Sequence, residues 1–210
     1  INIPTGIFRA FENVGDGYGM LMAILGGDDA GGGVTWAPEV INDAKDFGLL
    51  LGDNGVLYDT KKGESLPAHI GPMELLSEAE LNNFPEVSTE EFMNNFFVSA
   101  SDLFQHSNDS PVKVIGSKGL LKDKPGFEVD YVSNDTFIKE MHTTSQYEVN
   151  MIMKGEWNLE WKDDSINISA GDTCLIRPNL SYRIVPVGSG QASLFKVTKT
   201  NDRPGSTWRE

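Results

Sequence analysis

The C-terminal half of the sequence alternates short runs of strand-forming residues with turn residues, and no other feature constrains the fold as strongly. The runs are rich in Val, Ile, Thr and aromatic residues, and Gly, Pro, Asn and Asp separate them. Short strands at such regular spacing are typical of an all-β sandwich or barrel. The predicted strands are residues 112–115, 127–132, 136–142, 147–153, 157–161, 165–168, 173–176, 182–187 and 193–198.

The section before these strands, residues 37–106, carries helix signals instead. Pro38 suits the first turn of a helix, and Gly48 suits the position after its end. Ser77 and Ser88 each stand three residues before a Glu, which is the pattern of a capping box at a helix N-terminus. We therefore predict a short helical connector, with helices at residues 38–47, 78–84 and 89–96.

Residues 1–36 resemble the end of the chain in order, chemistry and spacing. Agreement of this kind at a nearly constant offset is the mark of an internal repeat. We interpret this section as the terminal strands of an earlier copy of the barrel, followed by a Gly-rich turn at residues 26–33. The matched positions are Pro4 with Pro178, Arg9 with Arg183, residues 14–17 with 187–190, and Thr35-Trp36 with Thr207-Trp208.

Two strand-like runs lie in this repeat, at residues 7–11 and 18–25. A pair of strands cannot bury its apolar face alone. These residues must therefore pack on the barrel, on a second chain or on an upstream portion of the protein.

One segment carries a recognisable motif. His142-Thr143-Thr144-Ser145-Gln146-Tyr147-Glu148 is followed, after six residues, by Gly155. It resembles the first motif of the cupin superfamily, with Thr144 in place of the second His. The stretch from Gly171 to Pro178 resembles the second motif, with Arg183 in place of its ligand His. The resemblance implies a cupin double-stranded β-helix, or jelly-roll barrel, at residues 107–210 of a bicupin-like protein.

The cupin resemblance also implies a metal site. Side chains alternate faces along a strand, so His142, Thr144 and Glu148 can share one face. By position His142 and Glu148 correspond to ligands of a divalent Fe, Mn, Ni or Zn ion. Thr144 is a poor ligand, and the permanently protonated Arg183 cannot ligate. A degenerate site with one metal and a site without any metal are both open.

Two other roles suit the same residues. Glu148 and Arg183 could form a buried ion pair, which would satisfy both charges. Arg183 could instead bind a carboxylate or phosphate through a bidentate fork. Tyr182 and Arg183 have opposite parity along the strand, so they should not both face the barrel interior.

Two functions follow from these alternatives. The first is a non-catalytic module that binds a small, anionic metabolite or serves as the structural half of a bicupin. The second, implied by the resemblance, is a metal-dependent dioxygenase-type oxidoreductase acting on a small aromatic or carboxylated substrate. Whether the chain is an enzyme stays open, because the ligand set matches at only two positions, His142 and Glu148.

The net charge argues against two classes of partner, and the cysteine content bears on the cellular compartment. The net charge of −14 disfavours nucleic acid and anionic membranes. Cys174 is the only cysteine, so no internal disulfide can form and we expect a cytoplasmic protein. A small-molecule ligand is the expected partner. The resemblance further implies a homodimer or association with an upstream cupin portion, since cupins often associate through sheet edges.

Overall fold

Two antiparallel sheets enclose the principal core of the C-terminal region in this computed structural model, which describes residues 1–4, 6–25, 35–107, 110–122 and 126–200. The strands are β3 (Val112–Ile115), β4 (Phe127–Ser133), β5 (Glu148–Lys154), β6 (Glu156–Trp161), β7 (Asp164–Ser169), β8 (Thr173–Ile176), β9 (Tyr182–Val187) and β10 (Ser193–Lys199). The larger sheet has the strand order β3-β4-β10-β5-β8 and the smaller has the order β7-β6-β9.

Eight of the nine predicted strands of this region are confirmed, with ends shifted by a residue or so. The exception is residues 136–142. Thr136 donates its N–H to the Ser133 carbonyl at 3.1 Å, and its hydroxyl accepts the Ser133 N–H at 3.0 Å. These bonds fold the chain into a turn, so the strand-forming residues that follow find no ladder until His142.

The barrel interior is filled from both sheets. Its buried cluster includes Trp157 and Tyr182, which are 0% and 1% exposed. Trp161 packs against the same cluster, because Trp157 and Trp161 have equal parity on β6 and therefore share a face of the sheet. The other members are Val132, Ile152, Leu159, Ile168, Ile176, Ile184, Ala192 and Leu194.

Gly155, the last residue of the first motif, forms the turn at which β5 ends and β6 begins. It lies between β5 and β6 with φ = 76°, in the left-handed region that favours glycine. A Cβ at this position would also approach the Ala192 Cβ to 2.9 Å. The tight turn therefore requires glycine on both conformational and steric grounds.

A second cluster covers the outer face of the larger sheet. Leu103, from helix α4 (Ala100–His106), packs with Val129, Tyr131, Met151 and other buried residues. Helix α3 (Thr89–Phe96) precedes α4, and the Ser88 hydroxyl caps it by accepting the Glu91 N–H at 3.1 Å. The larger sheet thus has two buried faces, of which the inner one faces the barrel core.

Residues 35–86 form a second compact unit together with residues 6–12, and the barrel belongs to the first unit. The predicted first helix is α1 (Pro38–Asp46), and Ser77 forms the predicted capping box of α2 (Glu78–Leu81). A hairpin of β1 (Leu49–Leu51) and β2 (Leu57–Asp59) lies between them. No helix among the described residues is long and apolar enough to cross a membrane.

The two strands predicted at residues 7–11 and 18–25 are not formed. The described residues that separate the two segments form local hydrogen bonds, such as the one that Asn13 Nδ2 donates to the Gly17 carbonyl at 2.8 Å. A strand exists only where another strand pairs with it, and β9 and β10 already occupy the equivalent places in the barrel. The matched turn 26–33 and the pair Thr207-Trp208 lie outside the described residues.

Candidate functional site

His142 enters the barrel interior by pairing with the first residue of β9. The backbones of His142 and Tyr182 exchange two N–H to carbonyl hydrogen bonds, each of 2.9 Å. Their rings lie 4.5 Å apart, centroid to centroid. The imidazole is therefore held against the Tyr182 ring at the inner wall.

Glu148 is buried beside the same tyrosine. The Tyr182 hydroxyl donates a hydrogen bond to Glu148 Oε2. Lys196 Nζ, from the neighbouring strand β10, lies 3.7 Å from Glu148 Oε1. Both carboxylate oxygens therefore have a partner, as a buried charge requires.

The predicted Glu148–Arg183 ion pair is not formed. Arg183 Nε and Nη2 instead donate to Glu160 Oε2 at 2.7 Å and 2.6 Å, and Nη1 donates to the Lys139 carbonyl at 3.3 Å. The reason is strand alternation: Tyr182 is the residue that faces inward, so Arg183 faces away, opposite Glu160 on β6. Arg183 does not line the pocket described below.

Asn150 belongs to the site but was missed from the sequence. It continues the inward parity of His142 and Glu148 along β5, and it is fully buried. Its cross-strand neighbours are Lys196 on β10 and Cys174 on β8. The amide lies near the Tyr182 hydroxyl and the Cys174 thiol, yet neither Nδ2 nor Oδ1 has a partner in hydrogen-bonding geometry. The parity argument could have found it.

A narrow cavity of ≈ 30 Å³ opens between these side chains. His142, Asn150 and Lys196 are among its lining residues, and His142 Nε2 is buried without a hydrogen-bond partner. Such a volume has room for water molecules or a very small ligand. Its remaining lining consists of Pro111, Val132, Thr136, Phe137, Ile138, Tyr182, Ile184 and Leu194.

Thr144 does not supply the missing ligand position of the motif. Its Oγ1 accepts the Gln146 N–H at 3.1 Å, and its carbonyl accepts the Asn179 N–H at 2.8 Å. The hydroxyl therefore stabilises a local turn. Thr144 is also absent from the pocket lining.

The described donor set does not fit a metal centre. No three His, Cys, Asp or Glu side chains come together in the described part of the chain in a way that could hold an ion. Glu148 is engaged by the Tyr182 hydroxyl, and the Lys196 ammonium beside it would oppose a dication. His142 Nε2 is a single suitable donor, and first-row metals need more protein ligands for tight binding. Metal binding by His142 and Glu148 stays a prediction.

Burial is the largest cause of the pKa shifts of two groups at the site, Tyr182 and Cys174. It raises the pKa of the Tyr182 phenol well above its ordinary value, and the hydrogen bond and charge of Glu148 raise it further. Burial likewise raises the pKa of the Cys174 thiol. Tyr182 therefore remains a neutral donor, and Cys174 is not activated as a nucleophile.

We expect Tyr182 to destabilise the fold at high pH. Its folded pKa lies above its unfolded value, so its contribution is complete below about pH 10 and is lost as the pH rises further. The free energy of unfolding should fall by up to about 1.4 kcal/mol per pH unit more in the wild type than in Tyr182→Phe. Urea unfolding at a series of alkaline pH values measures both slopes, and equal slopes would contradict the assignment.

Sequence comparison bears on the same region. Residues 124–203 match the sequence model of the AraC-like ligand binding domain, a cupin-like family. The match spans β4 to β10, the strands that carry Glu148, Asn150, Tyr182 and Lys196. The C-terminal barrel has the cupin fold. The jelly-roll fold and the cupin assignment predicted from the motif spacing are thus confirmed for this part of the chain.

Solved structures similar to the cupin barrel are distant in sequence. A cupin-2 domain protein from Shewanella frigidimarina is 14% identical, over 49% of this chain and 94% of that one, with a TM-score of 0.38. A cupin protein from Bacteroides fragilis is 19% identical, over 54% and 92%, with a TM-score of 0.39. A cupin 2 conserved barrel protein from Salinispora arenicola is 16% identical, over 43% and 75%, with a TM-score of 0.37. No curated protein matches the sequence.

Proposed function

We propose that the cupin barrel binds a small metabolite in the cavity between β5, β9 and β10. One observation carries the proposal: three polar atoms, His142 Nε2 and Asn150 Nδ2 and Oδ1, are buried at an otherwise apolar cavity without partners. A buried polar group without a hydrogen bond costs about 1–3 kcal/mol. A bound ligand recovers that free energy, and the match to a ligand-binding family supports the same reading.

Ligand-induced stabilisation tests this function. A ligand at a hundred times its Kd should raise the free energy of unfolding by about 2.7 kcal/mol. We would screen small metabolites by thermal unfolding of the wild type, of Asn150→Leu, and of Asn167→Leu. Asn167 lies exposed on β7, so the third variant makes the same chemical change outside the cavity. Stabilisation is expected in the wild type and Asn167→Leu alone; a screen in which Asn150→Leu responds equally would refute the site.

Asn150→Leu should also stabilise the protein without ligand. The substitution removes two buried polar atoms without partners and adds apolar surface at a site between Lys196 and Cys174. We expect the free energy of unfolding to rise by about 1 kcal/mol. Urea unfolding of the ligand-free proteins checks this result. A loss of about 1 kcal/mol or more would mean that the amide holds the sheets together instead of serving a ligand.

The dioxygenase function stays a second proposal, and metal content decides it. Plasma mass spectrometry on protein purified without chelator or affinity nickel should find well under one Fe, Mn, Ni or Zn ion per chain. A near-stoichiometric metal that is lost in both His142→Ala and Glu148→Ala would favour the oxidoreductase instead. Anion binding by Arg183 is likewise a proposal, and it requires Arg183 to leave Glu160.

We further propose that residues 7–25 pair with an upstream cupin portion, as terminal strands of a second barrel. Large apolar side chains are exposed throughout this segment, including Val14 at 90%, Tyr18 at 95% and Leu25 at 77%. Patches of this kind mark interaction sites. In a second copy of the chain the equivalent places are already taken, because its β4, β5 and β6 pair with its own β9 and β10.

Hydrogen exchange tests this pairing. The amides of residues 7–25 should exchange freely in the 210-residue chain and be protected in the polypeptide extended by its native upstream sequence. Protection absent from the extended polypeptide, or an upstream sequence without strand-forming segments, would overturn the proposal. Protection that depends on the concentration of the 210-residue chain would point to a homodimer.

A further inference from the structure

We infer that residues 137–141 form a lid that opens the cavity to solvent, and that Arg183 is the latch that holds this lid closed. The inference concerns access to the proposed ligand site, so the purpose of the lid rests on that function. Its test needs no ligand. It also gives a role to the pair of Arg183 with Glu160, which lies outside the cavity lining.

The closed cavity requires a wall that moves. Its volume of ≈ 30 Å³ has room for about one water molecule, so a metabolite cannot enter while every wall stays in place. His142 Nε2 and the two polar atoms of the Asn150 amide are buried without a hydrogen-bond partner. Buried polar atoms are normally paired with protein or with water. A wall that opens would let water reach these atoms, and their hydration lowers the free energy of the open state.

Residues 137–141 are a wall of the cavity that no strand ladder holds. Phe137 and Ile138 line the cavity, yet within the described part of the chain no backbone hydrogen bond ties down residues 137–141. Phe137 packs against the barrel core, whereas Ile138 and Met141 are each 40% exposed. Segments with few backbone hydrogen bonds and little burial open at low free-energy cost. The lid can therefore move while the strands stay paired.

Paired hydrogen bonds fix the chain on both sides of the lid. Asn134 donates its N–H to the Ala192 carbonyl at 3.1 Å, and its Oδ1 accepts the Ala192 N–H at 3.3 Å. On the other side, the backbones of His142 and Tyr182 exchange two hydrogen bonds of 2.9 Å each. Movement is thus confined to the residues between these anchors.

A charged network on the outer face of the smaller sheet reaches the middle of the lid. Arg183 Nη1 donates to the Lys139 carbonyl at 3.3 Å. Glu160 Oε2 orients the guanidinium, because it accepts from Nε at 2.7 Å and lies 2.6 Å from Nη2. Asn158 Nδ2 in turn donates to Glu160 Oε1 at 2.9 Å. Because β9 is the edge strand of its sheet, Arg183 can extend from it to the lid.

The latch is weak enough to release. The side chains of Arg183 and Glu160 are 39% and 26% exposed, and charge pairs at a surface contribute little stability and are screened by salt. Opening breaks the hydrogen bond to the Lys139 carbonyl and withdraws Phe137 from the core. Arg183 and Glu160 therefore act as positioning residues, which set how often the cavity is open.

Thiol labelling measures this opening. In a Cys174→Ser background, which removes the only cysteine, Val132→Cys places one thiol on the cavity wall and Ile168→Cys places one in the core outside the cavity lining. The neutral reagent methyl methanethiosulfonate reacts with each thiol only while it is exposed. Arg183→Met should raise the labelling rate at the Val132 site by about threefold or more and leave the rate at the Ile168 site unchanged. Arg177→Met, which removes an exposed arginine, should alter neither rate.

Salt distinguishes a charged latch from a structural role of the side chain. Raising the ionic strength from about 0.01 M to about 1 M should speed labelling at the Val132 site in the protein that keeps Arg183. The same change should have less effect in Arg183→Met, which has no charge left to screen. Glu160→Gln should give a rate between the two, because Arg183 remains but loses its charged partner. Ile184→Cys, also on the cavity wall, repeats the measurement with a second thiol.

Two results would overturn the lid. Equal acceleration at the Val132 and Ile168 sites in Arg183→Met would mean that Arg183 stabilises the whole barrel. An unchanged rate at the Val132 site would mean that Arg183 does not hold this wall. Neither result affects the proposed function, which ligand-induced stabilisation through Asn150 tests separately. Conversely, a lid that opens as expected in a protein that no metabolite stabilises would support the lid and refute the ligand site.

Discussion

Trp157→Ala is expected to lower the free energy of unfolding by about 3–5 kcal/mol, the largest loss of any single substitution considered for this chain. The Trp157 side chain is 0% exposed and lies at the centre of the barrel core. Its cross-strand neighbours are Ile168 on β7 and Pro186 on β9, and its indole N–H donates to the Lys154 carbonyl at 3.3 Å. Truncation therefore leaves a large cavity that both sheets line, and the surrounding side chains can fill it only in part.

Urea unfolding gives this loss directly, with Trp161→Ala as the matched control. Trp161 lies on the same strand and packs against the same core, but it is only partly buried. Its truncation should cost clearly less than that of Trp157, because a partly exposed side chain loses less apolar burial. Equal losses, or a loss below about 1 kcal/mol for Trp157→Ala, would mean that the two sheets do not close on this residue.

The sequence could predict which side chains of a single strand face inward at the site, because side chains alternate faces along a strand. Residues 142, 144 and 148 share parity, and the even-numbered residues from 142 to 150 are indeed the less exposed ones. The same rule excluded a common inward face for Tyr182 and Arg183, and Tyr182 proves to be the inward one. Applied one step further along β5, it reaches Asn150.

Pairing between strands could not be predicted in the same way. The sequence predicts a pair of Arg183 with Glu148, because Arg183 stands at a ligand position of the second motif, yet the register of β6 with β9 sets Arg183 opposite Glu160. That register depends on turn geometry and on the fit of both sheets, which a single strand does not encode. Strand propensity has the same limit: residues 7–11, 18–25 and 136–142 have strand-forming composition, but among them only His142 pairs with a strand of the described chain.

The helical section shows where local signals suffice. Capping by Ser77 and Ser88, and the stop at Gly48 with φ = 81°, depend on residues within one turn of each helix end. These elements were therefore predictable without any knowledge of the fold. Helix α4, whose hydroxyl cap Ser99 accepts the Asp102 N–H at 3.1 Å, carries a similar signal that the sequence prediction overlooked.

The second large effect is expected at Tyr182→Phe, which should lower the free energy of unfolding by about 1–3 kcal/mol. The ring, with its packing against His142, stays in place, and only the hydroxyl that donates to Glu148 Oε2 is lost. The buried carboxylate then keeps Lys196 alone, at 3.7 Å, and one of its oxygens is left without a donor. Tyr147→Phe is the control, because Tyr147 is 57% exposed and should change stability by less than about 0.5 kcal/mol.

A double-mutant cycle assigns the loss to the hydrogen bond itself. Glu148→Gln and Tyr182→Phe would be measured singly and together by urea unfolding. Because the two groups touch, their effects should not add, and we expect an interaction energy between about 0.5 and 3 kcal/mol. Strict additivity would show that Tyr182 stabilises the barrel through ring packing alone. In that case Glu148 would be free to serve a ligand or an ion, and the argument that its charge is already satisfied would fail with it.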